Sequence, residues 1–96
     1  RETPSSLDPE ALVDVHLLND EYTTMEFVVT VLGDELGLSA QEASDLALRV
    51  HWEGVGVVGT LPYAVAEPSR RRIEERAARA GFPLKVLVVA AAESEG

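Results

Sequence analysis

Two neighbouring loop residues, Asn19 and Asp20, carry side chains well suited to binding chemistry in this 96-residue chain. Both offer oxygen acceptors, and they begin the run NDEYTTMEF, which leads into the apolar face of a predicted helix. A further acceptor, the imidazole of His51, lies near the end of a later predicted helix. Acceptors of this kind suit a cationic or hydrogen-donating ligand. A structural role stays open, because Asn and Asp make turns, Thr23 suits a helix cap, and His51 suits a helix C-terminus.

The sequence lacks the motifs of common enzymes. It has no GxSxG elbow, no P-loop, no HExxH motif and no cysteine. Residues 54–59 have GxGxxG spacing, but they follow a helix and open a strand, the reverse of a dinucleotide site. His16 and His51 with Asp20 show no recurrent metal-ligand spacing. We therefore expect no enzymatic activity, no cofactor and no bound metal.

The charge of the chain is strongly acidic, with a net value of −9 from 17 acidic and 8 basic residues. This balance argues against nucleic-acid binding, which needs a positive face. The acidic residues concentrate in the first half, which favours a cationic partner or, more simply, a solvated surface. No apolar run reaches the roughly 18 residues that span a bilayer, so we expect no membrane insertion. The absence of cysteine leaves the cytoplasm as the expected location.

Hydrophobic spacing and turn residues divide the chain into six elements. Alternation predicts strands, while apolar residues three and four apart behind the capping-box motifs at residues 23–26 and 39–42 predict helices. The third helix begins either near Glu67, with Pro68 in its first turn, or earlier, at Pro62. The predicted elements are a strand over 12–18, a helix ending at Gly37, a helix ending near 53–54, a strand over 55–61, a helix ending at Gly81 and a strand over 84–89. The predicted buried faces are Met25, Val28, Leu32 and Leu36; Ala43, Leu46, Ala47 and Val50; and Val65, Ser69, Ile73, Ala77 and Ala80.

The resulting order is β-α-α-β-α-β, which predicts an α+β fold. The economical arrangement is a three-stranded antiparallel sheet with three helices packed on one side. We expect one core domain over residues 12–90, a flexible N-terminal arm over 1–11 and a frayed tail over 91–96.

Residues 17–29, LLNDEYTTMEFVV, resemble the signature of ClpS, the adaptor family of the bacterial N-degron pathway. The segments ALRVH at 47–51, VG at 58–59, VAE at 65–67 and GFPL at 81–84 follow in the same order and spacing, so the resemblance covers about residues 13–88. It implies the fold of the ribosomal L7/L12 C-terminal domain. It also implies a non-catalytic adaptor that binds proteins beginning with Leu, Phe, Tyr or Trp and delivers them to the unfoldase ClpA or ClpC.

The same resemblance implies roles for individual residues. A protein's α-amino group is mostly cationic near neutral pH and offers three donors. The resemblance assigns its binding to Asn19, Asp20 and His51. It assigns the pocket for the first side chain to Thr23, Met25, Val28, Ala47, Val50 and Leu84. Glu67 matches a family position for docking on the unfoldase, and Arg70 is a second candidate there.

Some positions depart from the family pattern. Ala47 stands where many members have a methionine, so we expect a wider pocket that rejects Ile and Val less strongly or accepts Trp more readily. Ala64 and Ser69 replace a frequent glutamate and lysine on the docking helix, so the run at residues 70–72 either takes over the contact or forms a solvated face. The alternative function is an L7/L12-like interaction module that does not capture N-termini.

Overall fold

The computed structural model describes residues 8–91 of the chain. The predicted order of six elements is confirmed, and the boundaries of most elements fall within a residue or two of those expected. The elements are β1 (Leu12–Leu18), α1 (Met25–Leu36), α2 (Ala40–Glu53), β2 (Val55–Pro62), α3 (Tyr63–Ala80) and β3 (Lys85–Ala90).

The three strands form one sheet with β1 at its centre, in the order β2-β1-β3. Both pairings are antiparallel, and a β-bulge lies between Val15 and His16 in the register with β2. The alternation of β1 has a structural cause, because successive side chains of a strand point to opposite faces. Val13, Val15 and Leu17 are at most 2% exposed and meet the helices, while Asp14 lies on the other face, where it accepts a hydrogen bond from Thr60. The α+β prediction is therefore confirmed.

The core lies between this sheet face and the helices. Leu17, Leu32 and Ile73, from β1, α1 and α3, are fully buried in it. Residues four apart on α2 complete the packing, and all four residues predicted for its buried face are buried. This arrangement confirms that the helices cover one side of the sheet.

The start of α1 differs from the prediction. The N-cap is Thr24, whose side-chain oxygen accepts a hydrogen bond from the Phe27 N–H at 3.1 Å. Capping by Thr23 was wrong, because the Thr23 hydroxyl and N–H are both bonded to Asp20 instead. The second predicted capping box is confirmed, since Ser39 and Glu42 satisfy each other's backbone amides.

The sequence left open whether α3 begins near Glu67 or earlier, at Pro62, and the structure shows the earlier start. Pro62 is the N-cap, and the helix runs through Pro68 to Ala80. Backbone carbonyls of Pro9 and Ala11 accept hydrogen bonds from the N–H groups of Ala64 and Tyr63, which supports this first turn. With this register Ala66 is buried, while Val65 is 49% exposed and Ala80 is also exposed, so the prediction of Val65 and Ala80 on the buried face was wrong. Met25, predicted on the buried face of α1, is 37% exposed, so that prediction was wrong as well.

Parts of the predicted domain boundaries lie outside the described residues. The arm over residues 1–11 is described only from residue 8, and the tail only at residue 91. The flexible arm and frayed tail therefore stay predictions. Within residues 8–91, none of the helices combines the length and apolar character that crossing a membrane requires.

Candidate functional site

A cavity of about 500 Å³ opens where the β1–α1 loop meets α1, α2 and the start of β3. Its polar end comes from the loop and from the last turn of α2. Its apolar end comes from residues at helical spacing, since positions 25 and 28 share one face of α1 and positions 47 and 50 share one face of α2. The fold thus brings together segments that are up to about 65 residues apart in sequence.

The structure brings all nine residues assigned to ligand binding around this one cavity. The set is Asn19, Asp20, Thr23, Met25, Val28, Ala47, Val50, His51 and Leu84. The sequence analysis missed two further lining residues, Leu18 and Glu21. Both lie within the loop signature, so their position beside Asn19 and Asp20 was the available signal. The roles of these residues in binding stay predictions at this point.

The Asp20 carboxylate organises the loop at the polar end. Its Oδ1 accepts hydrogen bonds from the N–H groups of Tyr22 at 2.8 Å and Thr23 at 2.7 Å. Its Oδ2 accepts the Thr23 hydroxyl at 2.7 Å. Partial burial by itself would raise the pKa of Asp20, but these three bonds outweigh it and hold the pKa below its ordinary value. Asp20 is therefore a fixed anion at the cavity.

The loop is joined to the end of α2 through Gly54. The Asn19 N–H donates to the Gly54 carbonyl at 2.9 Å, and the Gly54 N–H donates to the Val50 carbonyl at 2.8 Å. Gly54 has a φ of 91°, the left-handed conformation that ends a helix and that glycine adopts without strain. One residue thereby fixes the loop that carries Asn19 relative to the helical turn that carries His51.

The apolar end of the cavity is backed by the protein core. Val28 is 7% exposed, and Ala47, Val50 and Leu84 are each 4% exposed. Helix α2 approaches β2 closely here, because a Cβ on Gly56 would lie only 2.7 Å from Val50 Cγ2 and 2.8 Å from Leu46 Cδ1. Met25 differs from these residues, since 37% of it is exposed. The cavity thus has a firm apolar floor and a more accessible methionine in its wall.

His51 lies at the rim, exposed to solvent, and its ring is nearly perpendicular to that of Trp52, with an interplanar angle of 80° and a centroid separation of 5.0 Å. His16 belongs to β1 and does not line the cavity that holds Asp20 and His51, and across residues 8–91 no group of three His, Asp or Glu side chains is placed to hold a metal ion. In the glycine-rich run at 54–59, Gly54 is the C-cap of α2 and the other five residues belong to β2.

The two docking candidates lie on α3 and do not line the cavity. Arg70 forms ion pairs with Glu67 and with Glu74, the latter at 3.1 Å. The second Glu74 oxygen accepts the Val86 N–H at 2.8 Å, which ties this network to β3. The Arg70 hydrogen bond, opposed by partial burial, lowers the pKa of Glu67. Nothing in this geometry tests docking, which stays a prediction.

Comparisons with known proteins agree with the loop signature. The chain matches the family described as ATP-dependent Clp protease adaptor protein ClpS over residues 8–87. A ClpS adapter from Neisseria meningitidis is 42% identical over 80 residues, which cover 83% of this chain and 78% of the relative. A ClpS adapter from Wolinella succinogenes is 45% identical over 74 residues, which cover 77% of this chain and 72% of the relative.

A solved structure agrees with the fold. The structure of Agrobacterium tumefaciens ClpS2 bound to L-phenylalaninamide superposes with a TM-score of 0.81 at 30% identity, over 85% of this chain and 99% of that one. Fold and cavity together define a small α+β domain with one cavity that has a polar and an apolar end. The chain belongs to the ClpS family of Clp protease adaptor proteins, which confirms the resemblance noted in residues 17–29.

Proposed function

We propose that this chain is a non-catalytic adaptor that binds the free N-terminus and bulky apolar first side chain of a protein substrate. The observation that carries the proposal is the cavity, which combines acceptors from Asn19, Asp20 and His51 at one end with an apolar floor at the other. An N-terminal residue has the same two parts, a cationic amine beside an apolar side chain.

The polar end suits an ammonium group. An α-amino group has a pKa of about 7.7–8.0 and is mostly charged at neutral pH. Asp20 stays ionised because its pKa lies below the ordinary value, and Glu21 adds a second carboxylate to the lining. A charge-assisted hydrogen bond contributes about 1.5–3 kcal/mol. An acetylated N-terminus loses both the charge and two donors, so it fits this end poorly.

The apolar end suits Leu, Phe, Tyr or Trp as the first residue. Burial of such a side chain contributes about 1.5–3 kcal/mol. Micromolar affinity corresponds to about −8 kcal/mol, so both ends have to contribute. The relative ClpS2 was solved with L-phenylalaninamide, a molecule with a free amine, a phenyl side chain and no carboxylate. That chemistry resembles a peptide beginning with Phe, which supports the proposal for this chain.

The experiment compares a fluorescent peptide beginning with Phe with its N-acetylated twin by anisotropy. We expect the free peptide to bind at least about tenfold more tightly. Asn19→Ala should weaken binding of the free peptide, while Gln41→Ala, which removes an exposed amide from α2 outside the cavity, should not. Equal binding of the two peptides would remove the proposal and favour an L7/L12-like interaction module instead.

We propose further that the bound substrate is delivered to the unfoldase ClpA or ClpC through α3, with Glu67 and Arg70 in the contact. Membership of a Clp protease adaptor family supports delivery. Neither Glu67 nor Arg70 lines the cavity, which suits a contact that leaves the cavity free for substrate. Glu67→Gln should weaken capture of the adaptor by an immobilised unfoldase and leave peptide affinity unchanged. Unchanged capture by both unfoldases would remove Glu67 from the contact. The cytoplasmic location stays a prediction.

A further inference from the structure

A second cavity, also about 500 Å³, lies between α1 and α2 beside the first. The two cavities share Met25 and Ala47 in their linings. The second cavity is otherwise lined from the facing sides of the two helices, by Glu26, Val29, Thr30, Ser44 and Leu48. The two spaces are therefore neighbours with a common wall rather than unrelated surface grooves.

The common wall is thin because of the residues that form it. Ala47 contributes a single methyl group, and it is 4% exposed, so it stays fixed in the core. Met25 supplies the only long side chain that the two linings share, and it is 37% exposed. A methionine has three rotatable bonds and adapts its shape easily. Rotation of this one side chain is therefore the movement by which the two spaces would be joined.

We propose that the second cavity is an extension of the first-residue pocket and receives the distal part of an elongated apolar side chain. This inference rests on the proposed binding of N-termini. With the amine held at Asn19, Asp20 and His51, a side chain that extends past Met25 and Ala47 reaches Val29 and Leu48. Leu48 is 47% exposed, so covering it with an apolar group removes further apolar surface from water. The ligand class is a side chain at the first position with two aromatic rings joined end to end, which is longer than any of Leu, Phe, Tyr and Trp.

The experiment uses two peptides that differ only in the first residue, Phe or biphenylalanine, whose second ring extends the side chain along its axis. We expect the wild-type chain to bind the biphenylalanine peptide within about threefold of the Phe peptide, or more tightly. Ser44→Leu fills the second cavity from α2 without altering the lining of the first. It should lower affinity for biphenylalanine by about tenfold or more and leave affinity for Phe within about twofold.

Two further variants make the result specific. Ala47→Met thickens the common wall and should also select against biphenylalanine relative to Phe. Gln41→Leu adds the same leucine to an exposed position of α2 outside both cavities and should change neither affinity. Circular dichroism melting checks that each variant is folded.

The possible failures are distinguishable. If the wild-type chain binds Phe but rejects biphenylalanine by more than about tenfold, this inference is overturned and the proposed function stands. The same holds if Ser44→Leu and Ala47→Met weaken both peptides equally. If the Phe peptide binds no better than its acetylated twin, the proposed function is wrong, and this inference, which rests on it, is wrong as well.

Discussion

At the scale of single residues, Asp20 combines two roles that are usually separate. Its carboxylate receives three hydrogen bonds within its own loop and still lines the cavity. A carboxylate used in this way fixes the loop before any ligand arrives, so little ordering is needed on binding. Replacement of Asp20 should therefore affect both stability and affinity.

Asp20→Asn should weaken binding of a free N-terminus by about tenfold or more, because the charge is lost and the amide nitrogen cannot accept the Thr23 hydroxyl. The variant should also be less stable at neutral pH. The pKa of Asp20 is lowered in the folded state, so its stabilising contribution is present above its ordinary value of 3.8 and disappears as pH falls through the folded value. Denaturant unfolding of both proteins at pH 7 and at about pH 2 measures this. A stability difference that does not shrink in acid would contradict the account.

His51 predicts a second effect on binding. Its imidazole offers the ligand amine a hydrogen-bond acceptor at the polar end of the cavity. His51→Ala should therefore weaken binding of a Phe peptide, while His51→Gln, whose amide keeps an acceptor, should retain more of the affinity. Anisotropy with the same peptide measures both variants. Equal affinity of the wild-type chain and His51→Ala would rule out His51 as an acceptor.

At the scale of elements, the cavity depends on how the β1–α1 loop is joined to α2. Gly54 ends α2 and accepts the Asn19 N–H, so the position of Asn19 relative to His51 is set by backbone geometry. A Cβ at Gly54 would meet no atom within 4 Å, so a substitution there tests the backbone conformation without a steric clash.

Gly54→Ala should cost about 1–2 kcal/mol of stability, since alanine is strained in the left-handed conformation. It should also weaken peptide binding by displacing the loop relative to α2. Gly37→Ala is the matched control, because Gly37 ends α1 with a φ of 71° in equally open space and does not line the cavity. We expect Gly37→Ala to lose similar stability with unchanged peptide affinity. Equal losses of affinity in both variants, measured by anisotropy, would contradict the role of Gly54.

The sequence predicted the elements well where local signals agreed. The alternation of β1 and the reciprocal pair Ser39 and Glu42 both depend on near neighbours in the chain. The signal at Thr23 was misleading because Asp20, three residues earlier, binds its N–H and hydroxyl and leaves Thr24 as the cap. The buried face of α3 was predicted incorrectly at Val65 for a similar reason. The helix begins at Tyr63, after the N-cap Pro62, and continues through Pro68, whereas local rules left the effect of both prolines open.

The candidate site was predicted mainly from the family resemblance. The structure adds which residues distant in sequence lie next to each other, and residue types alone do not contain that information. Convergence of Leu84 with Asn19 depends on the return of the chain after α3. The second cavity depends on how closely α1 and α2 approach, so the facing pair Val29 and Leu48 gave no signal in the sequence.

At the scale of the whole molecule, ion pairs brace α1 against α3, and none of the residues that form them lines the cavity. Arg72 donates to Glu35 at 2.7 Å, and Arg76 bridges Asp34 and Glu35 at 2.9 and 3.2 Å. The Arg72 hydrogen bond leads the causes that lower the pKa of Glu35. Partly exposed ion pairs of this kind contribute little individually, so the sheet and the apolar core carry most of the stability.

Glu35→Gln should therefore cause only a small loss of stability, present at neutral pH and lost as pH falls through the folded pKa of Glu35, which is lowered from its ordinary value. Peptide affinity should stay unchanged, because the brace does not touch the cavity. Thermal melting at two pH values measures the stability, and anisotropy on the same sample measures the peptide affinity. A clear loss of peptide affinity would show that the α1–α3 brace also positions the site.

The central claim is that one cavity holds the amine and the first side chain together. The most direct measurement is an NMR titration of the nitrogen-15-labelled protein with L-phenylalaninamide and with its N-acetylated form. The account predicts saturable shifts of the backbone amides of Asn19, Ala47 and His51 with the free amine, and none with the acetylated compound. Shifts confined to α3, or equal responses to both compounds, would contradict it.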